Sequence, residues 1–301
     1  MSAGRHGHDM RRSVGLFNIT WMSATTASLL LMAPVTAAGY AHCATTMIGR
    51  VDPTSVALAA VGDPLIVELD RGAIDSYEDW AARIRLVPDA PPVPFAYTAL
   101  HGVGGETAVR VFEMSGSGRP SIVAEQHAPD GTFPTVPFPN PEEPGAMDAV
   151  VEKARSSGAV IALANDPDAD RLGVGIPRRD GGWRLLSGDE IGWLLADHVL
   201  AHTSGTGRLM VSTVVSSSLV GKMAAAAGVA YEETFTGFKW IAEAVSRHPS
   251  SRLVFAYEQA LGYLVADRPL DKDGITAAVM MLEVRSEEHT SELQSRQYLV
   301  C

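Results

Sequence analysis

Cysteine is almost missing from this chain. Cys43 and Cys301 are the only two in 301 residues, too few and too scattered for a disulfide framework or a zinc site, and in keeping with a reducing cytoplasm. Positive charge is also scarce. Lys and Arg number 24 against 35 Asp and Glu, a net charge of −11. That argues against nucleic acid as a partner, because such a partner requires a basic face. An anionic substrate would then need a local cation, since the overall field repels it. The glycines at 102, 104 and 105 do not follow G-x-G-x-x-G, so dinucleotide binding is unsupported. No Ser-His-Asp pattern is apparent, and no short-period repeat occurs.

What is present suits a packed protein. Hydrophobic residues make up 46% and charged residues 20%, a balance that permits a core and argues against wholesale disorder. The length predicts about two domains, at ~100–200 residues each. Near the N-terminus Arg11 and Arg12 precede an apolar run from Ala24 to Ala44. It can be read as a signal peptide, a membrane span or a stretch out of reading frame; Pro34, His42 and several Thr weaken the spanning helix. The expectation is no membrane partner and a cytoplasmic location.

From Phe95 onward strands and helices alternate. Expected strands are Phe95–Leu100, Ala159–Ala164, Arg171–Ile176, Leu209–Val215, Val229–Phe235 and Leu253–Tyr257. Expected helices are Glu106–Met114, Ala146–Ser156 with Gly158 as its stop, Gly188–Ala201, Leu219–Ala227 and Lys239–Val245. The alternation predicts an α/β fold with largely parallel sheets between helices, in two blocks, 92–186 and 187–284. The two blocks could share a topology.

The sharpest signal is Asp166-Pro167-Asp168-Ala169-Asp170-Arg171, directly after the apolar run Ala159–Ala164. Ligands tend to bind at strand ends in open α/β sheets. Three carboxylates at alternate positions can turn toward one point in a loop, and hard oxygens of this kind suit Mg²⁺. Without a cation their crowding costs repulsion. Arg171 adds a donor fork suited to phosphate. An EF-hand loop would need Gly and Glu where Arg171 and Pro177 stand, which leaves a solvated acidic turn as the alternative.

These residues resemble the metal loop of the α-D-phosphohexomutases, which include phosphoglucomutases and phosphomannomutases. Six further segments match in the family's order: YTALHGVGG (97–105), LSGDEIGWLLADH (186–198), TVVSSSLVGK (213–222), YEETFTGFKWIAEA (231–244), YEQALGYLV (257–265) and DKDGITAA (271–278). The pattern is most similar to the branch that also holds phosphopentomutase-like enzymes. The resemblance implies an incomplete copy of a four-domain architecture and a Mg²⁺ held by Asp166, Asp168 and Asp170, with Arg171 as the catalytic candidate beside them. It implies a substrate loop at Thr236, Gly237 and Lys239, a sugar-hydroxyl reader at Glu258, and a charged pair at Lys272 and Asp273. The implied partner is a hexose or pentose phosphate. Where many relatives continue with Ser-Gly after the glutamate, this chain has Gln259-Ala260-Leu261-Gly262, which leaves the sugar open. Taken alone, Lys239 also reads as an exposed helix-start lysine and Glu258 as a surface carboxylate. His101 suits a turn better than catalysis, and Ser216, Ser217 and Ser218 suit a helix cap.

The family's phosphoserine lies in a first-domain loop reading roughly Thr-Ala-Ser-His-Asn-Pro, and no Ser-His-Asn occurs in this chain. If Ser23 to Thr26 are encoded TCA GCC ACA ACC, a shift of two nucleotides gives AGC CAC AAC, which is Ser-His-Asn. Residues 1–91 are therefore expected to be the remnant of the first domain, with about Trp21–Met47 out of frame. At the other end Arg285–Ser295 reads RSEEHTSELQS, the translation of a common sequencing adapter. The natural sequence is then expected to stop near Val284, inside the third domain, with 285–301 non-native and the fourth domain missing. Two functions follow: a phosphohexomutase whose chain is inactive as written, or a non-catalytic fragment that binds metal or sugar phosphate.

Overall fold

The computed structural model describes residues 63–290 other than 65 and 68. The apolar run Ala24–Ala44, the segment Trp21–Met47 and the end of the adapter-like tail lie outside the described residues. Residues 70–301 belong to one unit, and two sheets organise its described part.

The first sheet has the order β2-β1-β3-β4-β5. Its centre is β1 (Phe95–Thr98), followed by α2 (Gly105–Met114), β2 (Ser121–Ile122), α3 (Asp148–Ser157) and β3 (Ile161–Ala164). β2 and β3 lie parallel to β1 on either side, with Phe95 opposite Ile161 and Thr98 opposite Ala164. Every residue of β1 and β3 is buried, as expected of continuous apolar runs covered on both faces. α3 ends at Gly158 in the left-handed conformation, φ 71°, the predicted stop. β4 (Gly173–Pro177) and β5 (Trp183–Leu185) then return antiparallel.

The second sheet follows the same path. β6 (Arg208–Thr213) is central, and α5 (Leu219–Ala226), β7 (Ala230–Thr234), α6 (Phe238–Arg247) and β8 (Arg252–Glu258) come next. β7 and β8 flank β6 in parallel, and β9 (Gly262–Leu264) returns antiparallel to β8, giving β7-β6-β8-β9. The two sheets thus share one topology, and each carries its candidate motif just beyond its third strand. A capping box at Ser187 and Glu190 starts the intervening helix α4 (Gly188–His202).

Two helices were not anticipated. α1 (Arg71–Ala81) is capped by Asp70, which accepts from Gly72 N. α7 (Gly274–Thr290) buries Ile275, Ala277–Leu282 and Val284. Its first half, buried on all sides, marks a core segment and lacks the stripe that periodicity detects. α7 packs on α4, α2 and β9 and runs on into the first residues of the adapter-like stretch. No helix among the described residues is long and apolar enough to cross a membrane.

Glu283 on α7 is 1% exposed. It accepts from Leu86 N at 3.0 Å and Val87 N at 2.7 Å, meets Arg85 at 3.3 Å and lies 2.8 Å from His198 Nε2. Burial pushes its pKa up, but His198 and the two amides outweigh burial and the net shift is downward. A depressed carboxylate contributes stability above its unfolded pKa and loses it as the pH falls through the folded value. Glu283→Ala should therefore cost about 3–5 kcal/mol in urea unfolding at neutral pH. Glu283→Gln should flatten the acid limb of the stability profile. Unchanged profiles for both variants would contradict this role.

Candidate metal and substrate site

The loop after β3 is closed by its own first residues. Asn165 accepts from Tyr97 OH at 2.9 Å, and its Nδ2 donates to Arg171 O at 2.6 Å. Asp166 Oδ1 accepts from Arg171 N at 3.0 Å, and Ala169 N donates to Asp166 O at 2.9 Å. Ala169 sits at φ 60°, a left-handed turn that costs a residue with a Cβ some strain. Asp166, Asp168 and Asp170 end with one carboxylate oxygen each, all within 4.8 Å of one another.

The glycine-rich loop of β1 supports this turn from behind. Val103 N donates to Pro167 O at 2.8 Å. A Cβ at Gly102 would stand 2.4 Å from Pro167 Cα, so no side chain fits there. Leu100 and His101 take φ of 47° and 62°. His101 is 4% exposed, with Nε2 2.8 Å from Thr135 Oγ1, which gives it the turn role expected.

Electrostatics mark the cluster as short of positive charge. Burial, then Asp170 and Asp168, push Asp166 up to about 8, against the opposing pull of the Arg171 amide and guanidinium. Arg171 Nε lies 3.6 Å from Asp166 Oδ2 and 3.8 Å from Asp170 Oδ1, and its Nη1 lies 3.9 Å from Glu142. These are loose ionic contacts, not a bidentate fork.

The second sheet closes onto the same loop. Arg171 bridges to Gly262, Leu172 N donates to Leu261 O at 3.1 Å, and Gly274 N donates to Ala169 O at 3.0 Å. Lys272 Nζ is 2.6 Å from Asp170 Oδ2. Burial works against the Lys272 charge, and Asp170 outweighs it to leave the pKa raised. Glu258 ends β8 at 8% exposure and accepts from Gly237 N. It is not a surface carboxylate; it fixes the loop of Thr236, Gly237 and Lys239.

Two family models match the chain: Phosphoglucomutase/phosphomannomutase alpha/beta/alpha domain II over residues 78–181 and domain III over 187–298. A probable phosphomannomutase of Haemophilus influenzae is 40% identical over 219 residues, 72% of this chain and 44% of that protein. The chain belongs to the α-D-phosphohexomutase family. A mouse phosphopentomutase is 37% identical over 226 residues, 71% of this chain and 36% of that protein. A phosphoglucomutase/phosphomannomutase family protein of Burkholderia thailandensis superposes with a TM-score of 0.57 at 25% identity, over 71% of this chain and 44% of that one. The chain thus spans less than half the length of these hexomutase relatives.

Asp273 departs from the expected substrate role. It is 6% exposed; Oδ1 accepts from Ile275 N at 3.0 Å and Thr276 N at 2.9 Å, and Tyr77 OH reaches Oδ1 and Oδ2 at 3.0 and 2.9 Å. These bonds make it the cap of α7. The serines differ too. Ser218 leads into α5 without a side-chain cap; Ser217 Oγ accepts from Leu219 N, and Ser216 Oγ accepts from Gln259 N at 3.1 Å. Lys239 is exposed on the first turn of α6, its ammonium 5.6 Å from the Trp240 centroid. Sequence reading passed over Asn165, whose position directly before the first aspartate was the available signal. It also passed over Tyr77, which nothing in the sequence ties to Asp273.

Gly102→Ala should cost about 1–3 kcal/mol through overpacking and loosen the aspartate turn. Chemical denaturation should show the loss. An unperturbed midpoint would contradict the close approach.

Proposed function

We propose that the chain carries the metal-binding and sugar-recognition parts of a Mg²⁺-dependent phosphohexomutase, which moves a phosphoryl group between two hydroxyls of one sugar phosphate through a phosphoserine. The observation that carries this is the convergence of Asp166, Asp168 and Asp170 within 4.8 Å at the carboxyl end of β3. Three hard oxygens fit Mg²⁺, which is usually held by a few carboxylates with water and substrate phosphate completing its shell. The raised pKa of Asp166 supports the fit: burial, then Asp170 and Asp168, disfavour its charge, and a cation would offset them.

Bound there, Mg²⁺ would supply charge neutralisation for a phosphoryl oxygen. The protein's own groups do the positioning. Arg171, 33% exposed beside the aspartates, turns its guanidinium to a phosphate oxygen. Glu258 holds the Gly237 amide, setting the loop that offers Lys239 to the ester, and reads a sugar hydroxyl. The 97–105 loop supports the aspartates from behind. The substrate class is a hexose or pentose phosphate, in a cytoplasmic setting that the scarcity of cysteine supports. Residues 92–186 and 187–284 act as the second and third domains of the family.

Calorimetry on the 301-residue chain tests the reading. One Mg²⁺ per chain is expected, and Asp168→Ala should weaken uptake by more than roughly 10–100-fold, the range for losing a partner that only orients a ligand. Asp168 is exposed, so the melting temperature should hold. Equal uptake by the variant would sink the assignment. Because no Ser-His-Asn occurs, a coupled mutase assay on this chain should give no turnover, and family-level turnover would overturn that part.

A further inference from the structure

Lys272 is held in a way that a surface lysine seeking the nearest carboxylate would not be. Its ammonium lies 2.6 Å from Asp170 Oδ2 and 3.6 Å from Asp271 Oδ1, and only 20% of the side chain is exposed. The stem lies across Gly262, where a Cβ would come within 2.4 Å of Lys272 Cδ. The ammonium also sits 5.3 Å from the centroid of Phe238. Gly262 closes the YEQALG segment and Phe238 belongs to the TGFK loop. One side chain therefore joins the aspartate cluster to both loops proposed to meet the sugar phosphate.

The Asp170 oxygen that receives the ammonium belongs to the carboxylate needed for a divalent ion. Two cations pressed against one carboxylate repel each other across a few ångströms, so the two occupancies oppose each other. We propose that Lys272 is a tethered counter-ion: it neutralises Asp170 while the aspartates hold no metal, and it yields that carboxylate when Mg²⁺ binds. Freed, the ammonium stays leashed by its stem against Gly262 and Phe238 and becomes a phosphate contact for the sugar ester. Metal uptake and substrate affinity are thereby linked through one lysine, and the linkage is reciprocal. This inference rests on the metal reading of the three aspartates.

The test uses the full chain, with Mg²⁺ and glucose 6-phosphate as probes. Lys272→Met keeps the stem and deletes the charge. Mg²⁺ should bind it more tightly than wild type by about 5–150-fold, the usual span for coupled binding events. Lys272→Arg should stay near wild type. With saturating Mg²⁺, glucose 6-phosphate should bind the Met variant more weakly. If that variant does not fold, Lys272→Gln provides the same comparison. Wild type gives an independent readout: mass spectrometry after acetic anhydride treatment should show faster Lys272 acetylation with Mg²⁺ than without.

Equal or weaker Mg²⁺ binding by the charge-deleted variants, while wild type binds Mg²⁺, would overturn the counter-ion role and leave the metal reading standing. No Mg²⁺ uptake by wild type or by any variant would remove both. Uptake by the Met variant alone would support the counter-ion role in its strongest form.

Discussion

Three carboxylates forced together at the end of a buried strand are the constraint on which the rest of the site depends. They repel one another, and burial raises the cost for Asp166 most. The turn survives because its backbone is tied on every side. Asn165 and Asp166 bind Arg171 from within the loop, Val103 holds Pro167 from the first sheet, and Gly274 holds Ala169 from the second. Only the Asp166 bond uses a carboxylate; the others join backbone groups or the Asn165 amide. The three aspartates are left with one carboxylate oxygen each within 4.8 Å of the others.

Repetition of topology explains how the parts come together. In both sheets the first strand is central, the next two flank it in parallel, and the fourth returns antiparallel. In both, the informative segment lies at the end of the third strand: DPDADR just after β3, and YEQALG from the last two residues of β8. The bridge between Arg171 and Gly262 joins those two loops directly. Ligand sites at the carboxyl ends of strands are the general habit of open α/β sheets, and here two such ends address each other. α7 locks the arrangement through Asp273 at its start and Glu283 just past its midpoint.

Much of this was legible in the sequence, for identifiable reasons. Ala159–Ala164 read as a strand because the run is apolar, short and bounded by Gly158 and Asn165. Gly188–Ala201 read as an amphipathic helix; the structure carries it to His202 and adds a capping box at Ser187 and Glu190. The aspartates stood out because alternate spacing in a loop has few other uses. What escaped was either too short or too uniform. β2 has two residues and β9 begins at a glycine, so neither shows a period. The first half of α7, residues 275–282, is buried almost throughout and carries no stripe to detect. Asp273 resembled a substrate group because Lys272 and Asp273 match the family's charged pair; only the fold shows Asp273 bonded to Tyr77 and the first amides of α7. Contacts spanning 196 residues leave no local trace.

The most direct test of the metal centre is anomalous diffraction from crystals of the chain grown with Mn²⁺ in place of Mg²⁺. A single strong peak within bonding distance of a carboxylate oxygen from each of Asp166, Asp168 and Asp170 is the expected result. An ordered loop with no peak there, or with the three side chains turned apart, would contradict it.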